Sequence, residues 1–189
     1  MSYEVITPPT TTPIDLAFIK DYLKVDFNDE DAIIESMINA AVSFVEKYTG
    51  RLMMQRTIKQ RFDRFPIVGD VCPFLELQGV PVINVVEINY LDSDDNLIVW
   101  DNTKYKIACT NEITSIHLRN GESYPTTLNE VEAVCVEYTA GYATADEVPG
   151  AMIQAMLLLI AHMYECRADS IKKMPSRAEW LLTPCKTFA

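Results

Sequence analysis

Three stretches of the sequence repeat apolar side chains at the three- and four-residue spacing of an α-helix. The first covers 14–23 and begins behind Pro13, a residue that suits the first turn of a helix. The second begins at a cap at Asn28 or Asp29 and ends before Gly50, a typical helix-terminating residue. The third, about 150–167, is apolar on nearly all faces, so the pattern predicts a buried helix there.

Between the second and third helices the hydrophobic period changes to two, which is typical of β-strands. Ile58, Gln60 and Phe62 alternate with polar side chains, and a similar alternation follows at 86–90. The polar run 92–96 then separates two strand-like segments and predicts a hairpin. We expect five to seven short, mostly antiparallel strands.

The order of these segments predicts an α+β fold, a three-helix core with an antiparallel β module inserted between helices two and three. The helical core comprises 14–50 and 149–168, the β insertion covers about 55–139, and together they form a single domain over 14–170. The proline-rich segment 1–13 is expected to be an extended N-terminal arm, and 171–189 a C-terminal tail.

The third helix and the tail are the predicted partner interface. A helix this apolar needs cover on every side, and we expect both its own chain and a neighbouring subunit to provide it, with Leu158 in the contact. The tail is basic and carries Lys172, Lys173 and Arg177 near Trp180, a composition typical of interface anchors. The alternative is that Trp180 folds back onto its own core.

Composition and charge restrict the function. The chain has 189 residues and a formal net charge of −11, which disfavours wrapping around nucleic acid. No secretory signal is apparent, and the longest apolar stretch, 151–164, is shorter than the ~20 residues that span a bilayer, so no membrane contact is expected. The five cysteines form no C-x-x-C pair and are predicted to be reduced thiols.

Candidate chemical groups are few, and each has a simpler explanation. His162 and Cys166 share a helix face, but no further ligands for a metal lie nearby in the sequence. His117 lacks a nucleophile in a suitable context. The run 92–96 imitates the start of a calcium loop without its later ligands, so solvated turn residues are expected and weak calcium binding stays an alternative. No catalytic, cofactor or metal site is predicted.

A basic cluster lies at the junction between the second helix and the first predicted strand, where 51–64 contains five basic residues and one acidic residue. A nucleic-acid patch is one interpretation. On an acidic chain, a solvated strand face that pairs with acidic neighbours is the favoured interpretation.

A set of motifs in a fixed order resembles the head–tail connector (neck adaptor) proteins of tailed bacteriophages, in the version with a β insertion. The motifs are Asp15-Leu16, 22–25 (YLKV), 46–51 (EKYTGR), 77–82 (LQGVPV), 136–142 (VEYTAGY), Val148-Pro149 and the helix 153–165. Together they cover about residues 12–170 and leave the C-terminal tail outside the resemblance.

The resemblance implies a structural virion protein of a phage or prophage, without catalytic residues or cofactors. It implies self-association into a ring, possibly twelve-fold, that binds the portal of the head and the next neck or tail protein. DNA would pass through the ring without being bound specifically. The expected location is the virion neck, and the host bacterial cytoplasm before assembly.

Two other functions stay open at this point. One is a neck-associated hydrolase, which would need acidic groups converging in a pocket. The other is a non-enzymatic binding module for a small ligand or RNA, with Tyr90, Trp100 and Tyr105 lining a cleft. These aromatics more simply form the packed face of the sheet.

Overall fold

The computed structural model describes residues 3–67, 73–109, 113–128, 130–166 and 176–187. The chain divides into two compact units. A helical unit contains the described residues of 9–54 and 142–188, and a β unit contains those of 1–8 and 55–141. The mixture of helices and antiparallel strands confirms the α+β class.

The helical unit has four α-helices among the described residues: α1 (Leu16–Leu23), α2 (Asp31–Thr49), α3 (Gly150–Glu165) and α4 (Ser176–Leu182). The first three coincide with the helices that periodicity predicts. A single apolar cluster fills the unit, with Ile19, Ile34, Val45 and Met156 fully buried within it. Gly50 ends α2 in the left-handed conformation, at φ +74°, as expected of a glycine directly after a helix.

The position of α4 differs from the prediction, which was a three-helix core followed by a separate tail. Ala178 and Leu182, four residues apart on one face of α4, are completely buried in the cluster that α1, α2 and α3 form. The helix therefore completes the core rather than following it. The sequence pattern concealed this role because the helix is only seven residues long, too short for a periodic signal.

The chain after α4 is bound to the end of α2. The backbone N–H of Thr187 donates to the carbonyl oxygen of Thr49 at 2.7 Å, and its hydroxyl donates to the same oxygen at 2.9 Å. The Arg51 guanidinium Nε donates to the carbonyl of Cys185 at 2.7 Å. Carbonyls in the last turn of a helix lack intrahelical donors, so Thr187 supplies one that α2 needs.

Polar side-chain contacts also join α1 and α3 to the beginning of α2. The Lys20 ammonium of α1 lies 2.6 Å from Oδ1 of Asp31, at the start of α2, and 2.6 Å from Oδ1 of Asn28. The Tyr164 hydroxyl of α3 donates to a carboxylate oxygen of Glu30 at 2.6 Å. The beginning of α2 is thus fixed to both α1 and α3.

The described residues of the β unit form eight strands in two antiparallel sheets. The larger sheet has the order β1-β2-β8-β4-β5, and the smaller has the order β3-β7-β6. The strands are β1 (Tyr3–Thr7), β2 (Arg56–Phe62), β3 (Leu75–Leu77), β4 (Val82–Leu91), β5 (Leu97–Val99), β6 (Tyr105–Cys109), β7 (Thr114–Leu118) and β8 (Val134–Ala140). Within the predicted N-terminal arm, Tyr3–Thr7 are extended and form a strand at one end of the larger sheet, paired with β2.

The inner face of the larger sheet carries the apolar positions of the period-two pattern. Ile58, Ile88 and Val136 are fully buried there. Gln60 occupies the same face and is also fully buried, so it needs hydrogen bonds. Its amide donates to the carbonyl of Glu76 at 3.1 Å, while its Oε1 accepts from the Gln78 N–H at 2.9 Å and from the Tyr138 hydroxyl at 2.8 Å.

This hydrogen-bond network, which we call the Gln60 network, joins the inner face to the segment of β3. The Tyr138 hydroxyl also lies 2.8 Å from the carbonyl of Gln78. Burial raises the pKa of Tyr138 well above its usual range, so the hydroxyl stays protonated and keeps donating. The network thus compensates for burying a glutamine and a tyrosine hydroxyl in an apolar sheet face.

Candidate interaction surfaces

The two residues considered as metal ligands in the helical unit lie at the end of α3. The Cys166 sulfur is 3.9 Å from Nδ1 of His162, a weak contact between two partly exposed side chains. Across the described ranges of the chain, no three His, Cys, Asp or Glu side chains converge as a metal site would require. This pair therefore gives no support to a metal-binding function.

His117 on β7 has a structural environment. Its Nε2 lies 2.8 Å from the Ser115 hydroxyl on the same strand, and its ring packs against Phe74 with the centroids 4.8 Å apart. These contacts hold the ring in place within the smaller sheet. The Ser115 hydroxyl belongs to a buried side chain, 7% exposed, so this Ser–His pair is not presented to a substrate.

The run 92–96 forms the tight turn between β4 and β5. Oδ1 of Asp92 accepts from the backbone N–H groups of Asn96 and Asp94, each at 2.9 Å. The hydrogen bond from the Asn96 backbone is the main cause that lowers the pKa of Asp92. The carboxylate is used to close the turn, which favours the interpretation of 92–96 as turn residues.

The aromatic residues considered for a ligand cleft form a packed cluster. The Trp100 ring lies 4.8 Å from Tyr105, 4.9 Å from Phe65 and 5.7 Å from Tyr124, measured between centroids. Trp100 and Tyr105 are buried. Their faces contact each other and their neighbours, and are not available to stack on a base or a small ligand.

The basic cluster of 51–64 is divided between the two units, because Arg51 belongs to the helical unit. On the outer face of the larger sheet, Arg61 forms ion pairs with Glu4 at 2.8 Å and Glu132 at 3.5 Å. Lys59 is in register with Glu137 on β8, which in turn is opposite Glu87 on β4. Acids thus balance the bases across the strands, as the favoured interpretation predicts.

Cys135 lies in the middle of this charged outer face. Partial burial raises the pKa of its thiol, while the nearby Lys59 and Arg61 act in the opposite direction. A thiol that is held protonated in this way is a poor nucleophile.

The predicted partner-interface residues separate into three groups. Leu158 on α3 is half-buried against the helical core. Arg177 and Trp180 are exposed on α4, Trp180 by 76 %. Lys172 and Lys173 lie outside the described residues.

Trp180 does not fold back onto the core, because its neighbours Ala178 and Leu182 take the buried face of α4. Arg177 and Trp180 are three residues apart and share the outward side of this helix. We call these two side chains the α4 face.

The helical unit itself covers most of α3. Six of its side chains are buried within the helical unit, and Ile153, Leu158, Met163 and Tyr164 pack against the same cluster. The expected contact of Leu158 with a neighbouring copy stays a prediction, since Leu158 is only partly buried by its own chain. α4 supplies much of the missing cover, which is why a helix apolar on nearly all faces is stable inside one chain.

Apolar surface is exposed elsewhere, at sites that sequence reasoning missed. In the helical unit, Phe18 and Tyr22 of α1 and the following Phe27 are about half exposed. In the β unit, Val5 and Ile6 of β1 and Leu97 and Val99 of β5 are exposed at the two edges of the larger sheet. The run Leu97-Ile98-Val99 was a visible signal, since uncharged edge strands are uncommon in isolated sheets.

None of the described helices combines the length and the apolar character that crossing a bilayer requires.

The comparison with protein families gives one match. The model of the family described as "Phage gp6-like head-tail connector protein" matches residues 13–68, the part of the chain that contains α1, α2 and β2. This match confirms the resemblance that the sequence motifs indicated. No curated protein matches the sequence.

The comparison with solved structures gives matches over the whole chain. A chain in the virion of a native gene transfer agent (GTA) particle has a TM-score of 0.83 at 22% identity, covering 100% of this chain and 97% of that one. A chain in the neck of an empty GTA particle, computed with C6 symmetry, has a TM-score of 0.82 at 21% identity with the same coverage. A chain in the neck of a native GTA particle, computed with C12 symmetry, has a TM-score of 0.76 at 20% identity, again with the same coverage. The fold of both units is therefore that of these chains.

Proposed function

We propose that the chain is a structural subunit of the neck of a tailed phage or prophage particle. Copies form a ring that joins the portal of the head to the next neck or tail protein. The observation that carries this proposal is the coincidence of two independent similarities. The connector family matches the α1–α2–β2 segment, and chains from GTA virion and neck structures share the fold over the entire length.

Ring formation is supported by the symmetry of the related particles. Necks computed with six-fold and twelve-fold symmetry contain chains of this fold. A closed ring needs two different contact surfaces on each subunit, because neighbours meet head to tail. The exposed apolar side chains lie on several separate elements, so the chain has more than one surface for such contacts.

The charge of the chain suits a conduit for DNA. The formal net charge is −11, and the Arg61 guanidinium on the outer sheet face already pairs with carboxylates. Such a surface repels phosphates instead of gripping them. We therefore propose that DNA passes the ring without specific binding. We also propose, as a separate point, that the protein lies in the bacterial cytoplasm until it joins the particle.

The α4 face is our proposed contact with the portal. Trp180 is a large aromatic exposed by 76 % beside Arg177, and tryptophan and arginine are the residues most enriched in interface hot spots. The opposite side of α4 is fixed in the helical core through Ala178 and Leu182. The two exposed side chains are thus held on a rigid support, which lowers the entropic cost of binding.

The two alternative functions gain no supporting observation from the described residues. A hydrolase would need converging reactive groups, and a ligand- or RNA-binding module would need accessible aromatic faces. The His117 ring and the Trp100 cluster are both engaged in structural contacts.

The proposal is tested by co-expressing the full chain with the portal protein of the same phage or prophage, followed by purification and electron microscopy. We expect a stable complex in which the chain forms a closed ring on one end of the portal. A chain that neither co-purifies with the portal nor forms rings would contradict the proposal.

The portal contact of α4 is tested by Trp180→Ala. Truncating a central aromatic hot spot costs roughly 2 kcal/mol or more of binding, or about a thirtyfold loss of affinity. Trp180→Phe is the matched control and should retain most of the binding. Unchanged portal affinity in Trp180→Ala would place the portal contact elsewhere on the chain.

A further inference from the structure

Two exposed surfaces of the helical unit combine aromatic rings with charges of opposite sign. The first lies on α1, where Phe18 and Tyr22 expose 54% and 43% of their surface. These two rings are four residues apart, so they lie on the same side of the helix. Asp15 and Asp21 are exposed as well, and each lies three residues from Phe18. We call these four side chains the α1 face.

The α1 face belongs to an acidic part of the chain. The segment 15–31 has six acidic and two basic residues, which gives a net charge of −4. Both bases already pair with acids of the same segment, at 2.6 Å and 3.1 Å. The side chain of Asp15 is exposed and makes no capping hydrogen bond to α1, so its carboxylate is available to a partner.

The second surface lies near the end of α2 and is basic. Phe44 and Tyr48 stack with their ring centroids 6.2 Å apart. The Lys186 ammonium lies over the Tyr48 ring, 4.9 Å from its centroid, and the exposed Lys47 is three residues from Phe44. Among the described residues, neither lysine forms an ion pair. We call these four side chains the α2-end face.

The two faces are attached to different ends of α2. The contact between Lys20 and Asp31 fixes α1 to the first residue of α2. Phe44 follows Asp31 by thirteen residues, or about 20 Å along the helix axis at 1.5 Å per residue. Each copy therefore carries two separate surfaces of opposite charge. A ring whose subunits meet head to tail needs two different surfaces on every copy.

We propose that the α1 face of one copy binds the α2-end face of the neighbouring copy, and that this contact forms a subunit junction of the ring. The inference rests on the proposed ring function and names the surfaces that form the junction. It commits to a second copy of this chain as the occupant of both faces, because an acidic aromatic surface and a basic aromatic surface complement each other.

The composition of the faces determines what the junction contributes. Burial of four partly exposed aromatic rings supplies apolar contact area, and aromatic rings also pair favourably with one another and with cations. The carboxylates of Asp15 and Asp21 attract Lys47 and Lys186, which selects the correct pair of surfaces and their orientation. Charges at the rim of an interface are screened by salt, so ring formation should weaken as ionic strength rises.

Charge reversal tests the junction in the full chain, co-expressed with the portal protein of the same phage or prophage. The first variant carries Asp15→Lys and Asp21→Lys. The second carries Lys47→Glu and Lys186→Glu. In each variant alone, like charges meet at every junction, so we expect the number of rings per portal in electron micrographs to fall at least about tenfold.

Co-expression of the two variants with the portal distinguishes a contact between copies from a general defect. In an alternating ring, each reversed α1 face meets a reversed α2-end face, and each unchanged face meets an unchanged face. Ring formation should therefore return, with both variants present in equal amounts. A chain that carries all four substitutions should also form rings, and it removes the requirement for an even number of copies. Mixing would not repair a defect of folding or of portal binding.

The matched control combines Lys104→Glu with Lys106→Glu. Both lysines are exposed in the β unit, and the net charge changes by the same amount as in the second variant. This control should form rings normally. The apolar part of the junction is tested by Phe18→Ala, which should reduce ring formation, whereas Val131→Ala at an exposed position of the β unit should not. Thermal unfolding followed by circular dichroism measures whether the helical unit of each variant is intact.

The outcomes separate this inference from the proposed function. Normal rings in either charge-reversed variant would overturn the junction and leave the neck function intact. Rings that return neither in the mixture nor in the chain with all four substitutions would also overturn it, and would assign the two faces to the portal or to another neck protein. Absence of rings and of portal binding in the wild-type chain would overturn both.

Discussion

The helical unit and the β unit differ in how they treat their unpaired backbone groups. In the helical unit, the end of α2 is closed by hydrogen bonds from Thr187, and α4 seals the apolar cluster. In the β unit, the edges of the larger sheet have exposed apolar side chains and no second neighbour among the described strands. The helical unit thus satisfies these groups within its own chain, whereas the larger sheet leaves its two outer strands with one neighbour each among the described strands. The two units should accordingly respond to different substitutions.

Two spectroscopic signals allow each unit to be followed separately. Trp100 is buried in the β unit, so its fluorescence reports on the unfolding of that unit. Helical circular dichroism reports on the helical unit, which contains all the described α-helices.

The largest expected effect is on the helical unit. Leu182 is completely buried, and Leu182→Ala should reduce the free energy of unfolding by about 2–5 kcal/mol through lost packing and a residual cavity. Urea unfolding followed by circular dichroism measures this change. Trp180→Ala, two residues earlier on the exposed side, is the control and should change stability by less than about 0.5 kcal/mol. Equal effects of the two substitutions would mean that α4 is not part of the core.

The next effect should be confined to the β unit. Tyr138→Phe removes the hydroxyl that donates to the Gln60 network, so that the buried Oε1 of Gln60 keeps only the Gln78 N–H of its two donors. We expect a loss of about 1–3 kcal/mol, measured by Trp100 fluorescence in urea. Tyr124→Phe removes an exposed hydrogen bond to the carbonyl of Pro73 and should cost less. A larger effect in Tyr124→Phe would contradict the assigned role of the network.

Gly50→Ala should destabilise the helical unit by about 1–2 kcal/mol, the cost of the left-handed conformation for a residue with a Cβ. The added Cβ would also collide with the Thr187 hydroxyl, which caps α2. Gly150→Ala is the matched control, because its Cβ would meet nothing and it begins α3. That control should stabilise the unit by about 0.4–1 kcal/mol. Thermal unfolding of the Gly50→Ala and Gly150→Ala variants measures both effects. A shift of stability in the same direction in both variants would contradict the assigned role of Gly50.

The smallest effect is a pH dependence of the β unit. Burial raises the pKa of Tyr138 in the folded state, while an unfolded tyrosine titrates near about 10. Above that pH the unfolded chain loses a proton that the folded chain keeps, so stability decreases as pH rises. The slope for one such group is at most about 1.4 kcal/mol per pH unit. Tyr138→Phe should flatten it, although Tyr105 and Tyr124, whose pKa values are also raised, contribute a remainder. An unchanged slope in Tyr138→Phe would argue against its burial.

The helices and the central strand alternation were predictable because they follow simple periods. α1, α2 and α3 bury residues at helical spacing, and Ile58, Gln60 and Phe62 lie on one face of β2 as expected. The burial of Gln60 was not predictable, since its partners come from β8 and from the segment that follows β3. Such partners are determined by the tertiary fold, and the local alternation of apolar and polar residues gives no information about them.

The interface was harder to predict than the fold. Two irregularities in β4, at Ile83 and Val86, disturb the alternation and leave these side chains exposed. Val86 therefore does not share the buried face of Ile88, as the alternation at 86–90 had predicted. The pairing of β1 with β2 joins segments about fifty residues apart, and the threonine- and proline-rich composition around it indicated only an extended chain. The α4 face was identified by composition alone, because an exposed tryptophan beside an arginine does not depend on the fold.

The interleaving of the two units along the chain sets an order for synthesis. The helical unit is assembled from 9–54 and 142–188, while the intervening 55–141 belong to the β unit. Chains leave the ribosome from the N-terminus at roughly 5–20 residues per second. α1 and α2 therefore emerge seconds before the helices that cover them, and their apolar faces need protection from aggregation during this interval. The helical unit can close only after residues 142–188 have been synthesised.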